Sequence, residues 1–173
     1  MARNVEIKAR LTDPRAVEAR AREVADQGPF ELVQDDTFFA CPSGRLKLRE
    51  LAPDRGQLIF YQRADTAGPK LSSYFIAPTQ DPAALRETLG RALRVIGRVR
   101  KRRRLYLAGQ TRIHLDQVEG LGSFLELEVA LADTDDTTAG EQVAMQLMNR
   151  LGVPAGDLVK GAYLDLMGAQ PPI

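Results

Sequence analysis

The chain has little sulfur or imidazole: one cysteine, Cys41, and one histidine, His114, in 173 residues. A single thiol excludes an internal disulfide and suits a reducing compartment. Long apolar runs are missing too. The N-terminus enters a charged pattern at once, without the apolar centre of a signal peptide, and no stretch of roughly 18 apolar residues is present to cross a bilayer. The expectation is a cytoplasmic protein with no membrane partner. Neither sign of charge is in excess, since 24 Lys and Arg stand against 23 Asp and Glu. Bulk charge therefore argues for neither nucleic acid nor a membrane surface. Repeats, low-complexity segments and linkers are absent. No heptad seam is present either, which leaves monomer and homodimer both open. With 44% hydrophobic residues, the length supports one domain with a real core, expected over residues 1–173.

What is there is punctuation and alternation. A strand is expected over 3–11. Asp13-Pro14 opens a helix through Val17, Ala21, Val24 and Ala25, which Gly28-Pro29 stops. Strands are expected over 33–40, 45–51, 57–63 and 72–77, with Pro53-Asp54-Arg55-Gly56 turning the middle pair. Asp81-Pro82 opens a second helix, with Leu85, Leu89, Ala92 and Leu93 as its apolar stripe. Strands over 97–107, 111–118 and 123–131 turn at Gly109 and at Gly120-Leu121-Gly122. A third helix is expected over 138–151, with Gly152 as its stop, and 157–167 reads equally as short helix or strand. Eight strands joined mostly by short connections predict a largely antiparallel α+β fold.

The strand faces carry the chemistry. Val5, Ile7, Ala9 and Leu11 oppose Asn4, Glu6, Lys8 and Arg10. Leu46 and Leu48 oppose Arg45, Lys47 and Arg49; Ile113 and Leu115 oppose Arg112, His114 and Asp116; Leu125, Leu127 and Val129 oppose Glu126 and Glu128. If the three amphipathic helices cover the apolar faces from outside, a curled sheet of eight antiparallel strands closes into a barrel with the charged faces inward. Its lumen collects Glu6, Lys8, Lys47, Arg49, Arg63, Lys101, Arg103, Arg112, Asp116, Glu126 and Glu128. Cations in one place suit a polyphosphate, and carboxylates that do not saturate its shell suit Mg²⁺ bridging phosphate oxygens.

At this point the residues resemble the CYTH domain superfamily of triphosphate tunnel enzymes. The family's N-terminal Glu-x-Glu-x-Lys strand is matched by Asn4-Val5-Glu6-Ile7-Lys8, with Asn4 where the first acid stands. Arg45-Leu46-Lys47-Leu48-Arg49 resembles its basic third strand, and Tyr61-Gln62-Arg63 and Lys70-Leu71-Ser72-Ser73-Tyr74 its middle blocks. Arg100-Lys101-Arg102-Arg103 resembles its Lys-x-Arg strand, His114-Leu115-Asp116 and Glu126-Leu127-Glu128 its late acidic strands, and Gly161-Ala162-Tyr163 its C-terminal segment. The order and spacing of the blocks, over nearly the whole chain, are what make the likeness specific. It implies a closed eight-stranded tunnel that binds a triphosphate with Mg²⁺ or Mn²⁺. The chain is most similar to the class IV adenylyl cyclases, which implies conversion of ATP to cyclic AMP and pyrophosphate. In that reading Lys8, Arg63, Lys101, Arg103 and Asp116 serve catalysis. Lys8, Arg45, Lys47, Arg49, Arg63, Lys70, Lys101, Arg103 and Arg112 bind the triphosphate, and Glu6, Asp116, Glu126 and Glu128 hold the metal. An amide oxygen such as that of Asn4 can ligate a hard cation without adding charge.

Plainer readings stand beside these. Glu6 alone is an ordinary surface residue of a half-buried strand; Glu126 and Glu128 give it company. The basic run from Arg98 to Arg104 has the composition of a nucleic-acid patch. Val99, Leu105 and Leu107 embed it in a strand, however, and no aromatic platform flanks it, so nucleic acid is not an expected partner. A lone His114 is more often structural than a base, and Cys41 lies before Pro42 with no base in view. Two other functions use the same lumen. One is a triphosphatase that turns water on inorganic, nucleoside or thiamine triphosphate; the other is a polyphosphate or nucleotide sensor without turnover.

Overall fold

Alternating charged and aliphatic residues at the N-terminus form strand β1 (Ala2–Arg10). The structure, a computed structural model, describes residues 1–168; the last five residues of the domain expected over 1–173 lie outside the described residues. After β1 come helix α1 (Pro14–Val24) and strands β2 (Gln27–Phe39), β3 (Arg45–Ala52), β4 (Arg55–Arg63) and β5 (Lys70–Thr79). Helix α2 (Pro82–Ala92), strands β6 (Val95–Ala108), β7 (Thr111–Val118) and β8 (Gly122–Leu131), and helices α3 (Thr137–Arg150) and α4 (Tyr163–Leu166) complete the order. The helices start where the sequence places an acid. The side chains of Asp13 and Asp81 accept from the N–H of Ala16 (3.0 Å) and Ala84 (2.9 Å), with Pro14 and Pro82 in the first turn. Such caps contribute about 1 kcal/mol each.

The strands close into a barrel in the order β1-β5-β4-β3-β2-β6-β7-β8, every neighbour antiparallel. β1 is the closing stave, paired with β5 on one side and β8 on the other. Closure leaves no open edge for a further strand, and the pleat then divides each strand into an inner and an outer set.

The apolar core lies outside the barrel wall. Val5, Ile7 and Ala9 of β1, Ile113 and Leu115 of β7, and Leu125, Leu127 and Val129 of β8 are buried with Val17 and Ala21 of α1 and Ala144, Leu147 and Met148 of α3. Each Leu or Ile buried there stabilises the fold by about 1.5–3 kcal/mol. Gly152 ends α3 in the left-handed region at φ +70°, where an added Cβ would run into the Arg20 guanidinium. A second apolar cluster, Phe38, Val99, Val118 and Phe124 with Tyr163 of α4, comes from the inward faces.

Two elements differ from the sequence reading. β2 starts six residues before the expected 33, because a bulge between Gln27 and Phe30 absorbs Gly28-Pro29 and lets the strand continue along β6. Pro29 sits where β3 does not reach, so its missing N–H removes no ladder bond on that side. The ambiguous segment 157–167 contains both signals: a single antiparallel bridge joins Leu158 to Ala9, and α4 follows. No helix among the described residues is long and apolar enough to cross a membrane.

Candidate functional site

Inside the barrel lies a cavity of about 390 Å³, within the size range of small-molecule sites. Ten of the eleven residues expected in the lumen line it: Glu6 and Lys8 of β1, Lys47 and Arg49 of β3, Arg63 of β4, Lys101 and Arg103 of β6, Arg112 of β7, and Glu126 and Glu128 of β8. Asn4, Asp36, His114, Tyr74 and Tyr163 join them in the wall.

Three expected residues do not line the cavity. Arg45 is tied between Asp65 (2.8 Å) and Asp165 (2.7 Å), which fastens β3 to α4. Lys70 is buried and donates to the Thr66 carbonyl at 3.1 Å; burial, then Arg63 and Lys8, pull its pKa down to about 8. Asp116 points inward but is fully engaged. Arg103 grips both its oxygens at 2.6 Å, and the Tyr163 hydroxyl donates to Oδ2 at 2.8 Å. Alternation along a strand reports which face a side chain takes, not how far along the tunnel it sits or what already holds it.

The carboxylates of β1 and β8 form one region. Glu6 stands directly across from Glu128, and Lys8 from Glu126. Like charges opposite one another are unfavourable unless something positive lies between them. Arg63 bonds Glu6 Oε1, and Arg112 donates to Glu128 Oε2 at 3.1 Å. Glu126 takes Arg103 at 3.0 Å and Lys8 at 3.6 Å. Burial alone would raise the buried Glu126 and Asp116 and the half-buried Glu128, yet all three lie below the usual range. Lys8 and Arg103 hold Glu126 well down, Arg103 and Arg112 lower Glu128, and Arg103 lowers Asp116. His114 is buried beside them, and burial, with Arg103 adding to it, drops its pKa to about 4, so at neutral pH it is uncharged. Its Nδ1 and the Oδ1 of Asn4 are buried polar atoms without a hydrogen-bond partner.

Lys47 and Arg49 of β3 and Lys101 of β6 form the other region, around a residue that the sequence reading passed over. Asp36 of β2, 1% exposed, accepts from Arg49 Nε and Nη2, both at 2.8 Å, from Lys47 Nζ at 3.0 Å and from Lys101 Nζ at 3.1 Å. Burial would raise this carboxyl, but Arg49, Lys101 and Lys47 outweigh it and hold it well below its ordinary value. The signal was its parity with Gln34 and Phe38. Neither face of Val33-Gln34-Asp35-Asp36-Thr37-Phe38 is cleanly apolar, so alternation gave no inner side to that strand. Tyr163 lies between the two regions, its ring 4.4 Å from Lys8 Nζ and 5.6 Å from Lys101 Nζ.

Cations and carboxylates thus share one cavity in a closed eight-stranded barrel. The model of the family described as "CYTH domain" matches residues 2–163. The chain belongs to the CYTH family. The adenylate cyclase CyaB of Aeromonas hydrophila is 27% identical over 173 positions, covering 94% of this CYTH chain and 87% of that one. A candidate adenylate cyclase of Methanocaldococcus jannaschii is 31% identical over 70 residues, 40% of either chain. Among solved structures, the PH1012 protein of Pyrococcus horikoshii OT3 shares the fold with a TM-score of 0.82 at 23% identity, covering 94% of this chain and 98% of that one. HpAC1 of Hippeastrum, described as having a dominant triphosphatase activity, shares it with a TM-score of 0.66 at 15% identity, covering 98% and 97%.

For a CYTH chain the donor set near β1 can be tested against a divalent metal. Among the described residues, no three His, Cys, Asp or Glu side chains stand ready as a metal cage. Mg²⁺ does not need one, since it commonly takes one or two carboxylates and completes its shell with water and phosphate oxygens. Facing Glu6 and Glu128, with Glu126 beside them and the orphaned Asn4 amide oxygen on the same inner face of β1, fit that pattern.

Proposed function

We propose that the cavity binds a nucleoside triphosphate with Mg²⁺ or Mn²⁺ and converts ATP to cyclic AMP and pyrophosphate. One observation carries the reading: Lys8, Lys47, Arg49, Arg63, Lys101, Arg103 and Arg112 converge on one cavity together with Glu6, Glu126 and Glu128. The naming of the Aeromonas hydrophila relative supports the cyclase form of it. A cytoplasmic setting, which supplies nucleotide and divalent metal together, belongs to the same proposal, as do one domain over 1–173 and a monomer or homodimer.

The chain's own residues bind, orient and neutralise. Lys47, Arg49 and Lys101 on one side and Lys8, Arg63 and Arg103 on the other enclose the phosphates, and Arg112 adds charge from β7. Glu6 and Glu128, with Glu126 and the Asn4 amide, would hold the metal, which supplies charge neutralisation and lowers the pKa of a ligated hydroxyl. The ribose 3′-oxygen forms its bond to the α-phosphorus as the bond to the β-phosphate oxygen breaks. Fixing that line of attack is the task of the phosphate grip. Pyrophosphate leaves against the cationic wall, whose preorganised charges stabilise it as it forms, and the hydroxyl proton passes to solvent. His114, uncharged with its pKa near 4, is poorly suited to take that proton at pH 7. Asp116 acts through Arg103 and Tyr163, fixing a guanidinium and a ring beside the phosphates.

A second reading keeps the same grip and places water opposite the terminal phosphate, giving a triphosphatase. The activity described for HpAC1, on the same fold, favours keeping it. Incubating the protein with ATP, inorganic triphosphate and thiamine triphosphate, with Mg²⁺ or Mn²⁺, separates the outcomes. Cyclic AMP with pyrophosphate supports the cyclase, and orthophosphate release supports the hydrolase. Tight binding without turnover makes it a sensor, and no binding of any triphosphate removes the reading.

A further inference from the structure

Asp36 is an anion in the middle of a cradle for anions, which makes its presence a problem to be explained. It lies in the cavity wall with Lys47, Arg49 and Lys101, and its two oxygens satisfy all three. A carboxylate there repels an incoming phosphate. It must also be dehydrated, a cost that only close cationic partners offset. Yet the three cations come from two strands, β3 and β6, that are not neighbours; β2, which carries Asp36, lies between them. Arg49 pairs with Asp36 in register, and Lys101 pairs with Gln34 two residues away. From the strand between them, Asp36 therefore reaches the cations of both.

Resting on the triphosphate reading above, we propose that Asp36 is a positioning residue: a fixed counter-anion that keeps Lys47, Arg49 and Lys101 gathered and charged before the ligand arrives. Without it, three like charges converge in a buried place, and the simplest relief is to spread apart or to lose a proton. Arginine does not lose its proton in this range, so the lysines bear the change. Lys101 is the more exposed to it. The groups facing it are Asp36 from β2, Lys47 and Arg49 from β3, Arg103 on its own strand, Asp116 from β7 and Tyr163 from α4. Its direct ion-pair partner is Asp36, and Asp116 is spent on Arg103 and Tyr163. Burial first, then Arg49, Arg103 and Lys47, already draw Lys101 down to about 7, with Asp36 pulling the other way. Asp36 thus trades some repulsion of the ligand for cations that are in place and hold their protons to a higher pH than they would without it.

The experiment is calorimetric titration of the full chain with inorganic triphosphate in EDTA, from pH 5.5 to pH 9. The proteins are wild type, Asp36→Asn, Lys101→Met and the double variant. The ligand's own protonation is common to all four, so ratios of affinity are compared. Asp36→Asn is expected to bind as tightly as wild type or more tightly at pH 5.5, because the competing charge is gone. It is expected to bind about tenfold more weakly at pH 8, because a one-unit acid shift of the lysine is a factor of ten. In the Lys101→Met background the same change is expected to cost nothing at pH 8. Weakening by one factor at every pH, or an equal loss in both backgrounds, is what a merely structural Asp36 gives and overturns the proposal. If Asp36→Asn does not fold, the double variant, which removes one charge of each sign, carries the test. Binding at pH 8 weaker than that of Lys101→Met alone overturns it, and equal or tighter binding supports it. Absence of triphosphate binding by wild type at every pH is a different failure, that of the functional reading itself.

Discussion

Replacing Arg103 with Met tests the buried network directly. Arg103 is 5% exposed and donates three hydrogen bonds, two at 2.6 Å to Asp116 and one at 3.0 Å to Glu126. Methionine fills much of the volume and removes the charge. Asp116 then keeps only the Tyr163 hydroxyl, and Glu126 keeps Lys8 at 3.6 Å. Breaking a buried pair from one side costs about 3–5 kcal/mol, and the surviving partners place this case near the lower figure, about 3 kcal/mol. A domain with a total stability of about 5–15 kcal/mol tolerates that, so the variant folds. With a urea slope of about 2 kcal/mol per molar, its midpoint falls by roughly 1.5 M. The pH dependence has a definite sign. In the native protein Asp116 and Glu126 lie below their ordinary values of 3.8 and 4.5. Their contribution is therefore fully present above those values and is lost only below them, as pH falls through the lower folded values. In the variant burial without the guanidinium raises the two acids, so protonation on the way from pH 7.5 to pH 4.5 relieves its penalty while the wild-type contribution stays in place. The deficit measured by urea unfolding, followed by far-ultraviolet circular dichroism, is expected to be largest at pH 7.5 and smaller at pH 4.5. A loss below about 1 kcal/mol at pH 7.5, or a deficit that does not shrink with acid, refutes the ion-pair accounting.

Asn4→Asp adds a charged oxygen where a neutral one now has no partner. It is expected to tighten Mn²⁺ binding about tenfold without substrate, read by paramagnetic resonance of the free ion; unchanged or weaker binding places Asn4 away from the metal. His114→Gln probes acid sensitivity. The folded pKa of about 4 lies below the ordinary 6.5, so the unfolded chain takes up a proton first. Wild-type stability is thus expected to fall as pH drops from 6.5 toward 4, by at most ~3.5 kcal/mol at about 1.4 kcal/mol per unit. Thermal melting of the Gln variant between pH 6.5 and 5 is expected to show less of this slope; parallel curves for the two proteins contradict the assignment.

The barrel was legible because the strand patterns agreed with one another. Val5, Ile7 and Ala9 needed cover that only a helix outside the sheet supplies, and this one requirement turned Glu6, Lys8, Lys47, Arg49, Lys101 and Glu126 inward together. Depth along the tunnel was not legible. Arg45 shares a face with Lys47 and Arg49, yet it lies against Asp65 and Asp165, which are distant in sequence. Partnership was not legible either. Nothing local announces that Asp36 answers three cations, because Lys47 and Arg49 arrive from one neighbouring strand and Lys101 from the other. The early start of β2 was hidden by Gly28-Pro29, which ends a helix in one context and sits in a bulge in this one.

The seam formed by β1 has a bearing on biosynthesis. The β1 segment, Ala2–Arg10, finds its two neighbours only when residues 70–74 and 124–131 have followed it in synthesis. Pairings so distant along the chain assemble slowly. Glu6 and Glu128 meet across that seam, so a nascent or partly unfolded chain has no assembled acidic wall, and that wall arrives together with closure of the ring.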